Sequence, residues 1–273
     1  MVIVFVLGIA GYIGYRAWAS TRGDEDAEEI MPRGSSQAEP PERLRVRVLA
    51  RHPHDTDAFT QGLVWHEGHL FESTGLRRRS SLRMVDLESG EVQRSREITD
   101  PTIFAEGLAR VGDELVQLTW EEERALVYRV SDFEPVREHE YEGEGWGLCF
   151  DGTHLVMSNG SSTLTFRDPA TFAPVRTVRV RDRGEERDQL NELECVDGVI
   201  WANVWQSEQI LRIDPRTGRV TGIVDARGLL SDEESEGTDV LNGIAWVPER
   251  ERFLITGKLW PAVFEVEFVA AGR

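Results

Sequence analysis

QGLVWHEGHLFESTG (61–75) is an apolar run, a turn and a second apolar run, and the chain repeats this pattern. Its opening returns as EGLAR at 106, WGLCF at 146, NELEC at 191 and NGIAW at 242, at steps of 45, 40, 45 and 51 residues. Its close, FESTG (71–75), returns as VQLTW (116–120), VMSNG (156–160), WANVW (201–205) and LITGK (254–258). Between the runs stand turn signals: Glu67-Gly68, Val111-Gly112-Asp113, Asp151-Gly152 and Asp197-Gly198. Each pair therefore reads as a β-hairpin, because glycine tolerates the positive φ of a tight turn. Two more alternating runs follow within 81–98, 125–141, 163–180 and 209–225, each pair split by Gly, Pro or Asp. Four strands at a period near 45 residues is the signature of a propeller blade. The expectation is an all-β, five-bladed β-propeller with four-stranded blades.

The fifth repeat is short of one strand, since little chain remains after AVFEVEF (262–268). LRVRVLA (44–50) alternates apolar and charged residues just before the first repeat. It is expected to pair as the outer strand of the last blade, closing the ring and removing an exposed edge. The propeller domain is thus placed at 44–268, with 269–273 as a tail. A β-sandwich of this length would not explain the regular four-strand period.

Of 273 residues, 40% are hydrophobic, enough for a sizeable core, and the formal net charge of −18 argues against nucleic acid or an anionic membrane surface as a partner. Two cysteines, Cys149 and Cys195, are too few for a disulfide framework and lack metal-ligand spacing, so they read as buried apolar fillers. They nevertheless occupy equivalent places in neighbouring repeats, each just before a residue-Asp-Gly turn, and the sequence leaves open whether they bond. VIVFVLGIAGYIGY (2–15) is uncharged but shorter than the roughly 20 residues of a membrane span, and Ala17-Trp18-Ala19 has a signal-peptidase pattern. Residues 1–19 are expected to be a signal peptide or a membrane anchor, and 20–43 a polar linker. Export follows, to a periplasmic, secreted or outer-side membrane-anchored location. Nothing indicates oligomerisation, so a monomer is expected.

In a propeller the first strand of every blade lines the central channel. The residues opening those strands are Gln61, Glu106, Trp146, Asn191 and Asn242, which are polar or aromatic and differ in every repeat. Positions serving packing alone should resemble one another, so this divergence within a constant frame marks a site. The ends of the second strands give a second ring: Gly75, Trp120, Gly160, Trp205 and Lys258. Phe59 and Phe104, each two residues before its strand-opening residue, add apolar wall. Together these describe a pocket with aromatic walls, one carboxylate, one ammonium and several amides, suited to a small uncharged or zwitterionic group. Glu106, the one acid of the inner ring, is expected to have its pKa raised by desolvation and so to be poised for proton transfer. The plainer reading makes Glu106 and Lys258 a structural ion pair and the Trp residues core. HPHDTD (52–57) reads as surface residues or structural hydrogen bonders sooner than as a metal site, and DEESEG (232–237) reads as an exposed loop.

At these residues the sequence resembles a known family. AFTQGL, ESTG, SSLRMVDLESGEV, FAEGL, LTW, GEGWGLCFDGTHLVMSNGSSTLTFRDP, NELECVDGVIWANVW, ILRIDPRTGRV and DVLNGIAW…LITGKLWP look like the glutaminyl-peptide cyclotransferases of the plant and bacterial type, across nearly all of 54–268. The resemblance implies a five-bladed propeller that acts on peptides or proteins with N-terminal glutamine, forming pyroglutamate and releasing ammonia. It points to Phe59, Gln61, Phe104, Glu106, Trp120, Trp146, Asn191, Trp205 and Lys258 as the pocket, with Glu106 as the proton-transferring acid. Asn242 is the extra member from internal register. The family's tunnel can hold a structural cation, although no side-chain set here requires one, and no catalytic metal or other cofactor is implied. Two other readings are a non-catalytic propeller serving as a binding module, and a metal-dependent lactonase-type propeller. The second would need several acidic ligands at the axis, where only one acid stands.

Overall fold

The computed structural model describes residues 39–272. The apolar segment 2–15, the cleavage pattern and most of the polar linker lie outside them. The described chain is all-β apart from one single-turn helix. Three four-stranded antiparallel sheets follow one another: Thr60–His66, His69–Thr74, Ser81–Val85 and Val92–Glu97; then Ala105–Val111, Glu114–Thr119, Arg124–Arg129 and Pro135–Glu140; then Leu148–Phe150, Leu155–Met157, Thr163–Arg167 and Pro174–Arg179. An eight-stranded sheet takes the rest in the order Leu190–Val196, Val199–Val204, Gln209–Ile213, Val220–Asp225, Glu42–Pro53, Ala262–Ala270, Arg252–Gly257 and Leu241–Val247. The hairpin turns at Glu67-Gly68 and Asp197-Gly198 have both central residues at positive φ, as a two-residue hairpin loop favours.

The strand Glu42–Pro53 pairs antiparallel with Ala262–Ala270, from Leu44 opposite Ala270 to Pro53 opposite Ala262. It runs several residues beyond the expected 44–50, and its partner runs past 268. Its other edge pairs in parallel with Val220–Asp225, a contact the sequence did not signal, and this joins two groups of strands into one sheet. The strands that open the repeats pack against one another in chain order, and the last packs against the first. They approach so closely that a Cβ at Gly62, Gly107 or Gly147 would strike the backbone of the next inner strand.

At that same position the fourth repeat carries Glu192 instead of glycine. The side chain is fully buried and accepts hydrogen bonds from Leu63 N (3.2 Å) and Ile244 N (2.9 Å), tying three inner strands together. Burial, helped by the charge of Glu194, holds its carboxyl well above the usual range. Outward from the inner strands, apolar side chains fill the space between sheets, as in the cluster of Phe71, Leu82, Leu108, Leu115 and Phe133.

Several local expectations change. The third repeat has only three-residue strands at Leu148–Phe150 and Leu155–Met157, and a small extra hairpin pairs Arg181 with Glu186. Asp232–Ser235 is a helical turn inside the stretch read as loop, closed by reciprocal Ser231 and Glu234 capping bonds. Cys149 and Cys195 are not separate fillers but a disulfide between neighbouring inner strands, with Cα atoms 5.5 Å apart, within bridging range. Among the described residues no helix is long and apolar enough to cross a membrane.

Candidate active site

One backbone bond recurs at the mouth of the inner strands. The N–H of Gly75, Trp120, Trp205 and Lys258 is bonded to the carbonyl of Phe59, Phe104, Gln189 and Val240, each two residues before a strand-opening residue. These four ends of second strands are therefore in the same place in their repeats. The third repeat departs: Gly160 N bonds Leu190 O in the next repeat. Its glycine has another use, as does Gly75. A Cβ at Gly160 would sit 2.7 Å from the Trp146 indole, and one at Gly75 would run into the Phe104 ring. Glycines in this ring leave room for aromatic side chains, Gly75 for Phe104 of the next repeat and Gly160 for Trp146 of its own.

The two rings meet in a cavity of about 380 Å³ lined by Phe59, Gln61, Phe104, Glu106, Trp120, Trp146, Asn191, Trp205 and Lys258, together with Gln206, Asp239 and Val240. Its walls are edge-to-face aromatic pairs: Phe59 with Phe104 at 6.0 Å, Phe104 with Trp120 at 5.7 Å, and Trp146 with Trp205 at 5.6 Å. Glu144 fixes two of the indoles, accepting from Trp120 Nε1 (2.9 Å) and Trp146 Nε1 (2.8 Å) on one oxygen. Arg77 lies over the Trp120 ring at 5.5 Å and is neutralised by Glu121 and Glu122.

Glu106 lies on the cavity wall, 5% exposed, and accepts a bond from Gln61 Nε2 (2.8 Å) on Oε1. Burial drives its carboxyl well above the usual range; Lys258 pulls it back, and Glu122 and Glu144 push it further up. Lys258 is itself lowered by burial, which the charges of Glu106 and Asp239 counter, and its ammonium stands 4.8 Å from the centre of the Phe59 ring. Asn191 is buried, yet its Oδ1 has no hydrogen-bond partner among the described residues. That oxygen is an acceptor placed on the cavity wall.

Asn242 is not on this wall. It is fully buried behind Gln61 and donates to Gln61 Oε1 (3.1 Å) and to Thr60 O (3.0 Å). The register shift between Leu241 and Ile244 recurs at Ala105/Leu108 and Leu190/Leu193, beside Glu106 and Asn191, so it is the bonds to Thr60 and Gln61 that take Asn242 off the wall, which residue counting could not reveal. His54 is a structural hydrogen bonder: its ring pairs with Trp260 O (2.8 Å) and Glu72 Oε1 (3.0 Å). Burial disfavours its charged form, but Glu72 outweighs that and leaves His54 raised and Glu72 lowered, a buried pair. Among the described residues no three His, Cys, Asp or Glu side chains are grouped to hold a metal. Val240 and Glu144 went unread in the sequence although they sit two residues before Asn242 and Trp146, the place Phe59 and Phe104 hold in their repeats.

A buried carboxylate and an ammonium lining one aromatic pocket of the all-β described chain form an arrangement suited to acid–base chemistry on a small substrate. Comparison makes this specific. Residues 25–268 match the family model described as glutamine cyclotransferase. The chain is 42% identical over 232 residues to the glutaminyl-peptide cyclotransferase of Arabidopsis thaliana, covering 83% of this chain and 72% of the relative. It superimposes on the crystal structure of Myxococcus xanthus glutaminyl cyclase with a TM-score of 0.77 at 43% identity, covering 85% of this chain and all of the other. The chain belongs to the glutamine cyclotransferase family.

Proposed function

We propose that this protein cyclises the N-terminal glutamine of peptides to pyroglutamate, with Glu106 carrying the proton. The observation that carries the reading is the buried Glu106 carboxylate facing Lys258 at an aromatic cavity, in a chain of this family. The α-amine must lose a proton to attack its own γ-amide carbonyl carbon, and the departing nitrogen must gain one to leave as ammonia. Glu106 takes the first proton and returns it to the leaving nitrogen, so the step is balanced with no net proton uptake. A raised carboxyl suits this exchange near neutral pH, and such catalysis is worth about 10²–10⁴-fold. Lys258 and the Asn191 NH2 donate to the amide oxygen, where charge builds in the transition state, and Asn191 Oδ1 is left to accept from a substrate N–H. The Phe and Trp walls exclude water and press the glutamine side chain toward its cyclic conformer. No step is routed through a metal ion, and a structural cation would lie outside the chemistry.

The fold is read as a five-bladed propeller whose last blade is completed by Glu42–Pro53. The ring of mutually packed first strands and the antiparallel pairing with Ala262–Ala270 support it. Export is supported by the apolar residues 2–15 and by the Cys149–Cys195 bond, which suits an oxidising compartment. The test is mass spectrometry of a Gln-initiated peptide incubated with the purified chain. The reading expects loss of one ammonia from that peptide and none from an Asn- or Glu-initiated control; an unaltered Gln peptide would move the protein to the binding-module class.

A further inference from the structure

Three buried amide and carbonyl groups in sequence set the direction of a hydrogen bond at Glu106. The carbonyl of Thr60 can only accept, so the Asn242 atom 3.0 Å from it is the amide nitrogen. The same NH2 reaches Gln61 at 3.1 Å, so the Gln61 atom facing it is the carbonyl oxygen. The Gln61 NH2 must then point the other way, and there it donates to Glu106 Oε1 at 2.8 Å. Amide orientation at an isolated Gln is free to reverse; here a backbone carbonyl two steps away decides it. Gln61 and Asn242 are both essentially excluded from solvent, so water is not there to substitute for a missing partner.

We propose that Asn242 is a positioning residue: anchored on the Thr60 carbonyl, it holds the Gln61 NH2 toward Glu106 and keeps one carboxylate oxygen engaged while leaving the other for substrate. This rests on the cyclotransferase reading. A donor aimed at the carboxylate favours the ionised acceptor that takes the α-amine proton, whereas a reversed Gln61 would present its carbonyl and favour the protonated acid. The other charged groups bearing on Glu106 are Lys258, which favours the carboxylate, and Glu122 and Glu144, which oppose it. Tyr141 feels the charge of Glu106 in return. None of these is hydrogen-bonded to Asn242, whose side chain bonds Thr60 and Gln61, so a change at 242 reaches Glu106 through Gln61.

The experiment compares the parent with Asn242→Asp and Asn242→Leu, and with Asn203→Ala as a packing control. Asn203 accepts from Gly243 N (2.9 Å) beside Asn242 but has no bond to Gln61. In Asn242→Asp, which differs in one atom, the new carboxylate draws the Gln61 NH2 to itself and turns the amide over. Both Asn242 variants should lose about 10–100-fold in kcat with KM changed less than about threefold, as for a displaced catalytic group. The acid limb of the kcat/KM profile should move to higher pH in both. Asn203→Ala should lower the melting temperature and leave that limb in place. A second readout, the 13C titration of the Glu106 carboxyl, needs no turnover, and Asn242→Asp should move its midpoint upward. An active parent whose Asn242 variants keep both kcat and the acid limb overturns the proposal, as does an unmoved Glu106 midpoint. An inactive parent with a shifted midpoint refutes the cyclotransferase reading and leaves the amide relay standing.

Discussion

Replacing Glu192 by alanine tests how the inner strands are held together. Glu192 stands where the other repeats have glycine, has no solvent exposure, and gives one oxygen to Leu63 N at 3.2 Å and the other to Ile244 N at 2.9 Å. Truncation leaves two buried backbone donors without acceptors, at about 1–3 kcal/mol each, or about 2–6 kcal/mol together, before any cavity term. At roughly 2–4 °C per kcal/mol for a domain of this size, the melting temperature should fall by about 4–24 °C. Glu192→Gln keeps one acceptor and should lose about half as much. Differential scanning calorimetry at constant pH reads both values. An alanine variant melting within about 1 °C of the parent would refute the idea that this carboxyl ties the strands.

Other perturbations have equally definite outcomes. The disulfide closes a separation of 46 residues, which in the chain-entropy account is worth about 4 kcal/mol, so Cys149→Ala with Cys195→Ala should lower the guanidinium midpoint; an unchanged midpoint contradicts this. Burial pushes Glu194 up to about 8, so its folded form holds the proton more tightly than the unfolded chain does. Its contribution is complete below about pH 4.5 and is lost as pH rises through about 8. The melting-temperature advantage of the parent over Glu194→Gln should therefore shrink between pH 5 and pH 9, and a constant gap would contradict it. Lys258→Met removes the one charge that pulls the Glu106 carboxyl down; kcat/KM near neutral pH should fall about 10²–10³-fold with the acid limb displaced upward, which a pH–rate series reads.

Much of this molecule could be read from internal repetition. Equivalent positions in a ring converge, so Glu106, Trp120 and Lys258 fall on one cavity although more than a hundred residues separate the first from the last. Asn242 shows the limit: it shares the register of Glu106 and Asn191, yet its NH2 is spent on Thr60 O and Gln61 Oε1 behind the wall, and residue spacing does not say which way a side chain turns. Gln206 and Asp239 come from connections between strands, whose course no repeat fixes. Glu144 could have been found by carrying the Phe59 and Phe104 offset to Trp146, but as an acid among aromatics it did not look like wall. Glu192 was equally visible as the one residue breaking a column of glycines. The Cys149–Cys195 bond needs a distance between neighbouring strands, which matching register suggests without supplying.

The most direct test of the account is ammonia release from a Gln-initiated tripeptide by the parent and by Glu106→Gln, with a chelator present and melting temperatures matched. The account predicts one ammonia per peptide consumed by the parent, and a rate at least about 10²-fold lower in the variant. Equal rates in the two folded proteins would remove Glu106 from the chemistry, and no release from a folded parent would remove the chemistry from this cavity.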